Sequence, residues 1–315
     1  MSENKTNISL VIPCYNEELN IDSLVDSLNR YSAEHIELAI EVIFVDDCST
    51  DGTYEKLRTA PHREYTCRIL KLSTNCGSHV AFRAGCKYAS NDLVTLTSSD
   101  LQHPLNLIHE CLKSLESNNV DCVIAIRGND YYDSFIEKRF SRFYTWLVRK
   151  FAVSTFPAGG FDIFMIGKRY KDLMNSNIEG NSSIYLQILS VGLPFNSIVY
   201  NKEKRHKGKS KWTISKKVKL MIDTFIAFSF APIRLVTIMG IALFFLGIML
   251  SVYLLLRKIF VGDLIQGWAL AYSTILCGFG VTNISLGIIA EYLWRTLDAS
   301  RKRPVFVVDR DEEIR

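Results

Sequence analysis

Apolar and polar positions alternate in short blocks along the first 130 residues. Ile8 to Ile12 is a β-branched run stopped by Pro13, which predicts a buried strand. Asn16 to Tyr31 puts Leu24, Val25 and Leu28 on one face. That predicts a helix whose start Asn16, Glu17 and Glu18 can cap. Ile40 to Val45 predicts a second strand ending in Asp46 and Asp47. A turn at Ser49, Asp51 and Gly52 follows, then a helix over Thr53 to Arg58. Arg68 to Leu72 predicts a third strand, with a turn at Asn75–Gly77 and a helix through Tyr88. Leu93 to Leu96 predicts a fourth strand, Leu105 to Glu116 a helix and Asp121 to Ile126 a fifth strand.

Strands that alternate with helices imply a mostly parallel, Rossmann-like sheet covered on both faces. Ligands of such sheets bind beyond the carboxyl ends of the strands. The polar residues at those ends are Tyr15, Asn16, Glu17, Asp46, Asp47, Asn75, Ser98, Asp100, Gln102 and Arg127.

The pattern changes near residue 230. Ile233 to Leu256 and roughly Trp268 to Ala290 are long, mostly apolar stretches, and about 20 apolar residues suffice to cross a bilayer as a helix. Lys216 to Phe230 is basic and then apolar, as expected of a helix lying among lipid headgroups. The net charge is only +4, but its distribution is uneven. Arg205, Lys207, Lys209, Lys211, Lys216, Lys217 and Lys219 precede the first stretch, and Arg295, Arg301, Lys302 and Arg303 follow the second. The loop between them has Arg257, Lys258 and Asp263. The positive-inside rule then predicts both termini in the cytoplasm. The polar start MSENKTN predicts no signal peptide. Eight cysteines without metal spacing or a C-x-x-C pair fit a reducing compartment.

Asp46 and Asp47 directly follow an apolar strand. Turn capping is one reading of that position. Asp100 occupies the same position on another strand, with Gln102 two residues on. Oxygen ligands at such an edge suit Mg²⁺ or Mn²⁺ bound together with substrate phosphates. His79, His103 and His206 are isolated, and a ligand role is not expected of them. Tyr131, Tyr132, Phe135, Phe140, Phe143, Tyr144 and Trp146 interleave with Arg139, Arg142 and Arg149. The small net charge and the apolar stretches argue against nucleic acid as a partner and for an amphipathic acceptor lid or interfacial helix.

These motifs resemble a family. Val11-Ile12-Pro13-Cys14-Tyr15-Asn16-Glu17-Glu18, Val45-Asp46-Asp47-Cys48-Ser49-Thr50-Asp51-Gly52-Thr53, Asn75-Cys76-Gly77 and Ser99-Asp100-Leu101-Gln102-His103-Pro104 look like family 2 glycosyltransferases of the GT-A fold. Gly159-Gly160-Phe161-Asp162, the run Arg205 to Trp212, Ala290 to Arg295 and Arg301 to Pro304 narrow the likeness to polyprenyl-phosphate glycosyltransferases. These are relatives of bactoprenol glucosyltransferases and dolichol-phosphate mannose synthase. The resemblance covers nearly the whole chain. It implies a GT-A domain over residues 1–212, an interfacial helix over 213–232, a two-helix transmembrane hairpin over 233–292 and a basic cytoplasmic tail over 293–315. It also implies a multi-pass protein of the inner (plasma) membrane, and it allows homo-oligomers.

The resemblance carries roles with it. Pro13, Tyr15, Glu17, Asp46 and Asp47 would hold the nucleotide, and Asp100 and Gln102 the metal. Arg127, Arg139, Arg205 and Lys209 would grip the lipid phosphate. Asp162 would lie near the reacting centre, where it accepts a proton, orients the donor sugar or anchors an arginine. The usual Asp-x-Asp is here Ser98-x-Asp100, which removes one carboxylate from the metal region. The implied reaction moves a sugar, from UDP more than GDP, to undecaprenyl phosphate with inversion. The alternatives are a catalytically silent nucleotide-binding scaffold, which Ser98 suggests, and a processive polysaccharide synthase, which the few apolar spans disfavour.

Overall fold

The structure, a computed structural model, describes residues 5–128, 135–176, 183–201, scattered positions between 236 and 260, 268–300 and 304–314. It divides into two compact units, Met1–Met221 with Pro304–Arg315, and Ile222–Arg303.

The first unit is built on one sheet. Its strands are β1 (Thr6–Cys14), β2 (Leu38–Asp46), β3 (Thr66–Leu72), β4 (Leu93–Leu96), β5 (Cys122–Arg127), β6 (Phe161–Ile166), β7 (Asn196–Tyr200) and β8 (Val308–Ile314), in the order β7-β5-β6-β4-β1-β2-β3-β8. β1 runs parallel to both β2 and β4, and β2 to β3. The chain winds outward from β1 to β3 and then returns to the other side of β1 as β4. That reversal opens a crevice at the carboxyl ends of β1 and β4, where ligands bind in such sheets. The helices are α1 (Ile21–Glu34), α2 (Thr53–Thr59), α3 (Ser78–Tyr88), α4 (Leu107–Asn118), α5 (Phe135–Phe151), α6 (Lys168–Ser176) and α7 (Ile184–Ser190).

The core follows from the apolar runs. Val11, Ile12, Val42, Ile43, Phe44 and Val45 are fully buried, because helices cover both faces of the parallel strands. α3 lies close on β1 at Gly85, where a Cβ would come within 2.3 Å of Val11 Cγ1. Cys67, Cys86 and Cys111 are buried thiols whose pKa burial pushes up to about 12, so they pack as small apolar side chains.

Several expectations shift. β1 continues through Pro13, which pairs with Val45 without needing a donor. α1 starts at Ile21 rather than Asn16, because Asn16 takes a left-handed φ of 52° and residues 16–18 bond the β2–α2 loop instead. The sheet is mixed beyond β4: β6 is antiparallel to both β4 and β5. The expected basic tail departs most. Its last residues form β8, antiparallel to β3, and Asp311 receives two N–H bonds from Arg68 at 2.8 and 2.7 Å. Tyr54 donates to Glu312 at 2.7 Å. Unpaired edge groups on β3 and cations beside it draw in an acidic strand that composition alone reads as a tail.

In the second unit, α8 (Trp268–Ser300) covers 33 residues. The interfacial segment, 213–232, lies outside the described residues, and the first apolar stretch, Ile233 to Leu256, is described at scattered positions only. Among the described residues no helix is long and apolar enough to cross a membrane.

Candidate active site

Three loops at the carboxyl ends of β1, β2 and β3 are knit together. Asn16 accepts the Thr50 amide on Oδ1 at 2.8 Å, and its own amide donates to Ser49 Oγ at 2.9 Å. The Glu17 amide donates to Thr53 Oγ1 at 2.8 Å, and Glu17 Oε2 accepts Asn20 Nδ2 at 2.6 Å. Pro13, Tyr15 and Glu17 are half-buried at this mouth. Asp46 is fully buried, and its Oδ1 accepts the Ser49 amide at 3.2 Å. Burial raises its carboxyl pKa, and the Ser49 bonds only partly offset this. Its Oδ2 is buried without a hydrogen-bond partner among the described residues. An unsatisfied buried oxygen at a ligand edge suits a donor from a base or ribose. Asp47 is engaged differently. Its two oxygens accept the Cys76 and Gly77 amides at 2.7 and 2.8 Å, so it holds the β3–α3 turn against the mouth.

The loop after β4 supplies Ser98, Asp100, Gln102 and His103. Leu101 has a φ of 56°, an uncommon conformation for a leucine, and such strain collects at functional sites. The Gln102 amide donates to Asp100 Oδ1 at 3.2 Å, and Asp100 is buried. Ser98 Oγ is buried without a hydrogen-bond partner among the described residues. Ser98, Asp100 and Gln102 offer oxygen ligands, which fit Mg²⁺ or Mn²⁺ rather than a soft metal. Among the described residues no three His, Cys, Asp or Glu side chains converge at Asp100, so substrate phosphates would complete the coordination.

Asp162 is the centre of a third group. The pairing of β5 with β6 slips between Ala125, opposite Ile163, and Ile126, opposite Phe161. Asp162 is the extra residue of that bulge, a device that re-aims side chains near active sites. Gly160 just before it has a φ of 66°, which favours glycine. Arg127, the last residue of β5, donates from Nε and Nη2 to Asp162 Oδ2 at 2.8 and 2.7 Å. Tyr200, the last residue of β7, donates its hydroxyl to Oδ1 in a buried hydrogen bond. The Tyr185 hydroxyl reaches the Asp162 carbonyl at 3.3 Å, and His103 Nε2 lies 3.6 Å from Oδ2.

Burial lowers the Arg127 pKa, but the Asp162 charge outweighs it and the net shift is upward. Burial, then Asp162, raises both Tyr185 and Tyr200. At neutral pH the group is a charged Arg127–Asp162 pair held by a neutral Tyr200. Both carboxylate oxygens of Asp162 are engaged, so of its three expected roles the geometry favours anchoring an arginine. Two of the five guanidinium N–H donors face Asp162.

Arg139 is exposed on α5, and Arg205, Lys209 and His206 fall outside the described residues. His79 packs edge-on against Tyr185, and burial, then Arg83, lowers its pKa to about 4, so it stays neutral. α5 buries Thr145 and Val148 and exposes Phe143, Trp146, Arg149 and Lys150. Phe143 stacks on Trp146 at 6.1 Å, and Lys150 Nζ lies 5.0 Å from the Trp146 ring. His103, Tyr185 and Tyr200 received no active-site role from the sequence. Only the position of His103, three residues past Asp100, hinted at one.

The sequence model of the family described as Glycosyl transferase family 2 matches residues 9–188. The uncharacterized glycosyltransferase YkcC of Bacillus subtilis is 28% identical over 306 residues, covering 97% of this chain and 94% of that one. The undecaprenyl-phosphate 4-deoxy-4-formamido-L-arabinose transferase of Yersinia pestis is 28% identical over 306 residues, covering 96% and 93%. Among solved structures, glucosyl-3-phosphoglycerate synthase from Mycobacterium tuberculosis, in complex with Mn²⁺, UDP and phosphoglyceric acid, aligns with a TM-score of 0.49. Its identity is 16%, over 70% of this chain and 76% of that one. That likeness is loose, and the α/β assignment rests on the strand order above.

Proposed function

The chain belongs to glycosyl transferase family 2, and from that premise we propose that it moves a sugar from a nucleotide sugar, UDP-linked by preference, to polyprenyl phosphate in a membrane. Relatives of this chain are named for undecaprenyl phosphate as acceptor, which supports the lipid. The observation that carries the reading is the half-buried Arg127 fork, held by Asp162, which Tyr200 also bonds, beside the Asp100–Gln102 loop. A pre-aimed guanidinium suits a phosphate, whose oxygens accept its N–H donors in pairs.

The residues fit the chemistry. The second pKa of a phosphate monoester is near 6, so the acceptor is mostly an anionic nucleophile at neutral pH and needs no strong base. One of its oxygens attacks the anomeric carbon, the bond from that carbon to the nucleoside diphosphate breaks, and the diphosphate leaves with the electron pair. Attack from the opposite face inverts the centre. Arg127 orients the attacking oxygen, and Asp162 keeps Arg127 in line. Tyr15, Glu17 and Asp46 hold the nucleotide. Asp100 and Gln102, with Ser98 adjacent, would hold a divalent ion, which when bound neutralises charge on the departing diphosphate.

The membrane setting has its own support. α8 exposes Ile275, Phe279, Ile284, Leu286 and Leu293, an apolar surface larger than water tolerates on a lone helix. Exposed Phe143 and Trp146 beside Arg142 and Lys150 on α5 suit a headgroup layer. Both termini then lie in the cytoplasm, with only the loop around Gly262 outside.

Incubating the purified chain with undecaprenyl phosphate and a panel of nucleotide sugars tests the reading. A sugar-labelled lipid, identified by mass spectrometry, is the expected product. Transfer to a soluble acceptor or a growing polysaccharide, with none to the lipid, would refute it.

A further inference from the structure

Among the described residues, one group of three ligating side chains gathers away from the site above. His35, Glu37 and His109 place their ligand atoms within 4.8 Å of one another. His35 and Glu37 share the turn between α1 and β2, and His109 comes from α4. His35 ends α1, with its amide donating to the Tyr31 carbonyl at 3.1 Å and its carbonyl accepting the Leu38 amide at 3.0 Å. Glu37 precedes β2, and its carbonyl accepts the Thr6 amide at 3.0 Å. His109 sits in the first turn of α4. The His35 ring packs on Tyr31 with centroids 4.4 Å apart and stacks on His109 at 5.8 Å. His35 Nδ1 lies 2.9 Å from Glu37 Oε1.

We propose that His35, Glu37 and His109 bind a divalent transition-metal ion of the zinc class, with water completing the coordination. Zinc takes nitrogen and oxygen ligands at about 2.0–2.2 Å, so two ligand atoms on one tetrahedral ion lie about 3.3 Å apart. His35 and Glu37 place their atoms 2.9 Å apart, and all three ligand atoms lie within 4.8 Å of one another, close to that spacing. Two imidazoles and one carboxylate suit Zn²⁺, Cu²⁺ or Ni²⁺, whereas the oxygen donors near Asp100 suit Mg²⁺ or Mn²⁺. The two sites therefore select different ions. This one lies at the amino end of β2, the end opposite Asp46. His35 is half-buried and Glu37 and His109 are exposed, so the ion reaches the site from solvent. Once bound, it ties the α1–β2 turn to α4.

Titrating the full chain in detergent micelles with zinc chloride, in an Asp100→Ala background that removes the oxygen site's carboxylate, tests the proposal. One ion per chain is expected. With free zinc at about 100 times the dissociation constant, Tm rises by about 5–10 °C. His109→Ala abolishes that rise without changing Tm in the absence of metal, Glu37→Gln weakens it, and Mg²⁺ produces none. With Cu²⁺ in place of zinc, the paramagnetic resonance spectrum shows coupling to two nitrogens. Equal zinc affinity in a His35→Ala, His109→Ala double variant, or no binding by the parent, would overturn it.

Discussion

Replacing Asp162 with Asn separates its anchoring role from a proton-accepting one. The substitution keeps the shape and removes the charge. Asp162 Oδ2 accepts two N–H groups from Arg127, at 2.8 and 2.7 Å, and Oδ1 accepts the Tyr200 hydroxyl. A hydrogen bond to a charged group contributes about 1.5–3 kcal/mol and a neutral one about 0.5–1.5. Neutralising Asp162 therefore weakens the two Arg127 bonds by about 2–3 kcal/mol together. Side-chain exposure is 33% for Arg127 and 12% for Asp162, so solvent screens part of this and about 2 kcal/mol is left. If that loss falls on alignment of the lipid phosphate, kcat/KM for polyprenyl phosphate drops by about 30-fold. Calorimetry should find nucleotide affinity unchanged, because the Asp46 and Glu17 loops are separate, and the pH–rate profile should keep its shape. Tyr200→Phe should act in the same direction with a smaller effect. A loss of about 10⁴-fold or more with the acidic limb of the profile gone would show that Asp162 takes a proton. No loss at all would remove it from the site.

Asp46→Asn should raise stability while weakening nucleotide binding. The folded pKa of Asp46 is raised by burial, so the folded state binds more protons than the unfolded state, and the group's penalty grows as pH rises through the unfolded value of about 3.9. Asn removes that penalty at neutral pH, and a fall in Tm at pH 7 would contradict this. Gly85→Ala puts a Cβ 2.3 Å from Val11 Cγ1 and should cost about 1–3 kcal/mol by overpacking, read as a lower denaturation midpoint; an unchanged midpoint would mean α3 can move off β1. Asp100→Ala should abolish turnover and chelators should inhibit the parent, whereas Ser98→Asp should be tolerated and tighten metal binding. Full activity in excess chelator would reject a metal-dependent step. Cysteine placed at Gly262 should be labelled from outside intact cells and cysteine at Ser2 should not, and the reverse pattern would reject the topology.

The sequence by itself determined the inner half of the fold and much of the candidate site. β1 to β5 were legible because each is a short apolar run closed by a proline, an aspartate or a turn. The rule that ligands bind at carboxyl strand ends singles out Glu17, Asp46, Asp100 and Arg127 without reference to any tertiary contact. Tertiary structure decided what depends on partners far along the chain. β8 reads as a charged tail until Arg68 and Tyr54 meet it at the sheet edge. Asp47 and Asp46 are adjacent and alike in sequence, yet one closes the turn after β3 and the other has a buried oxygen with no hydrogen-bond partner among the described residues. Asp162 was singled out by motif, but its work is set by a bulge in β6 that delivers it to Arg127 and Tyr200 from β5 and β7. Local periodicity records which face of an element is buried. It carries no record of which distant side chain will satisfy a charge there, and that pairing fixes what the charge does.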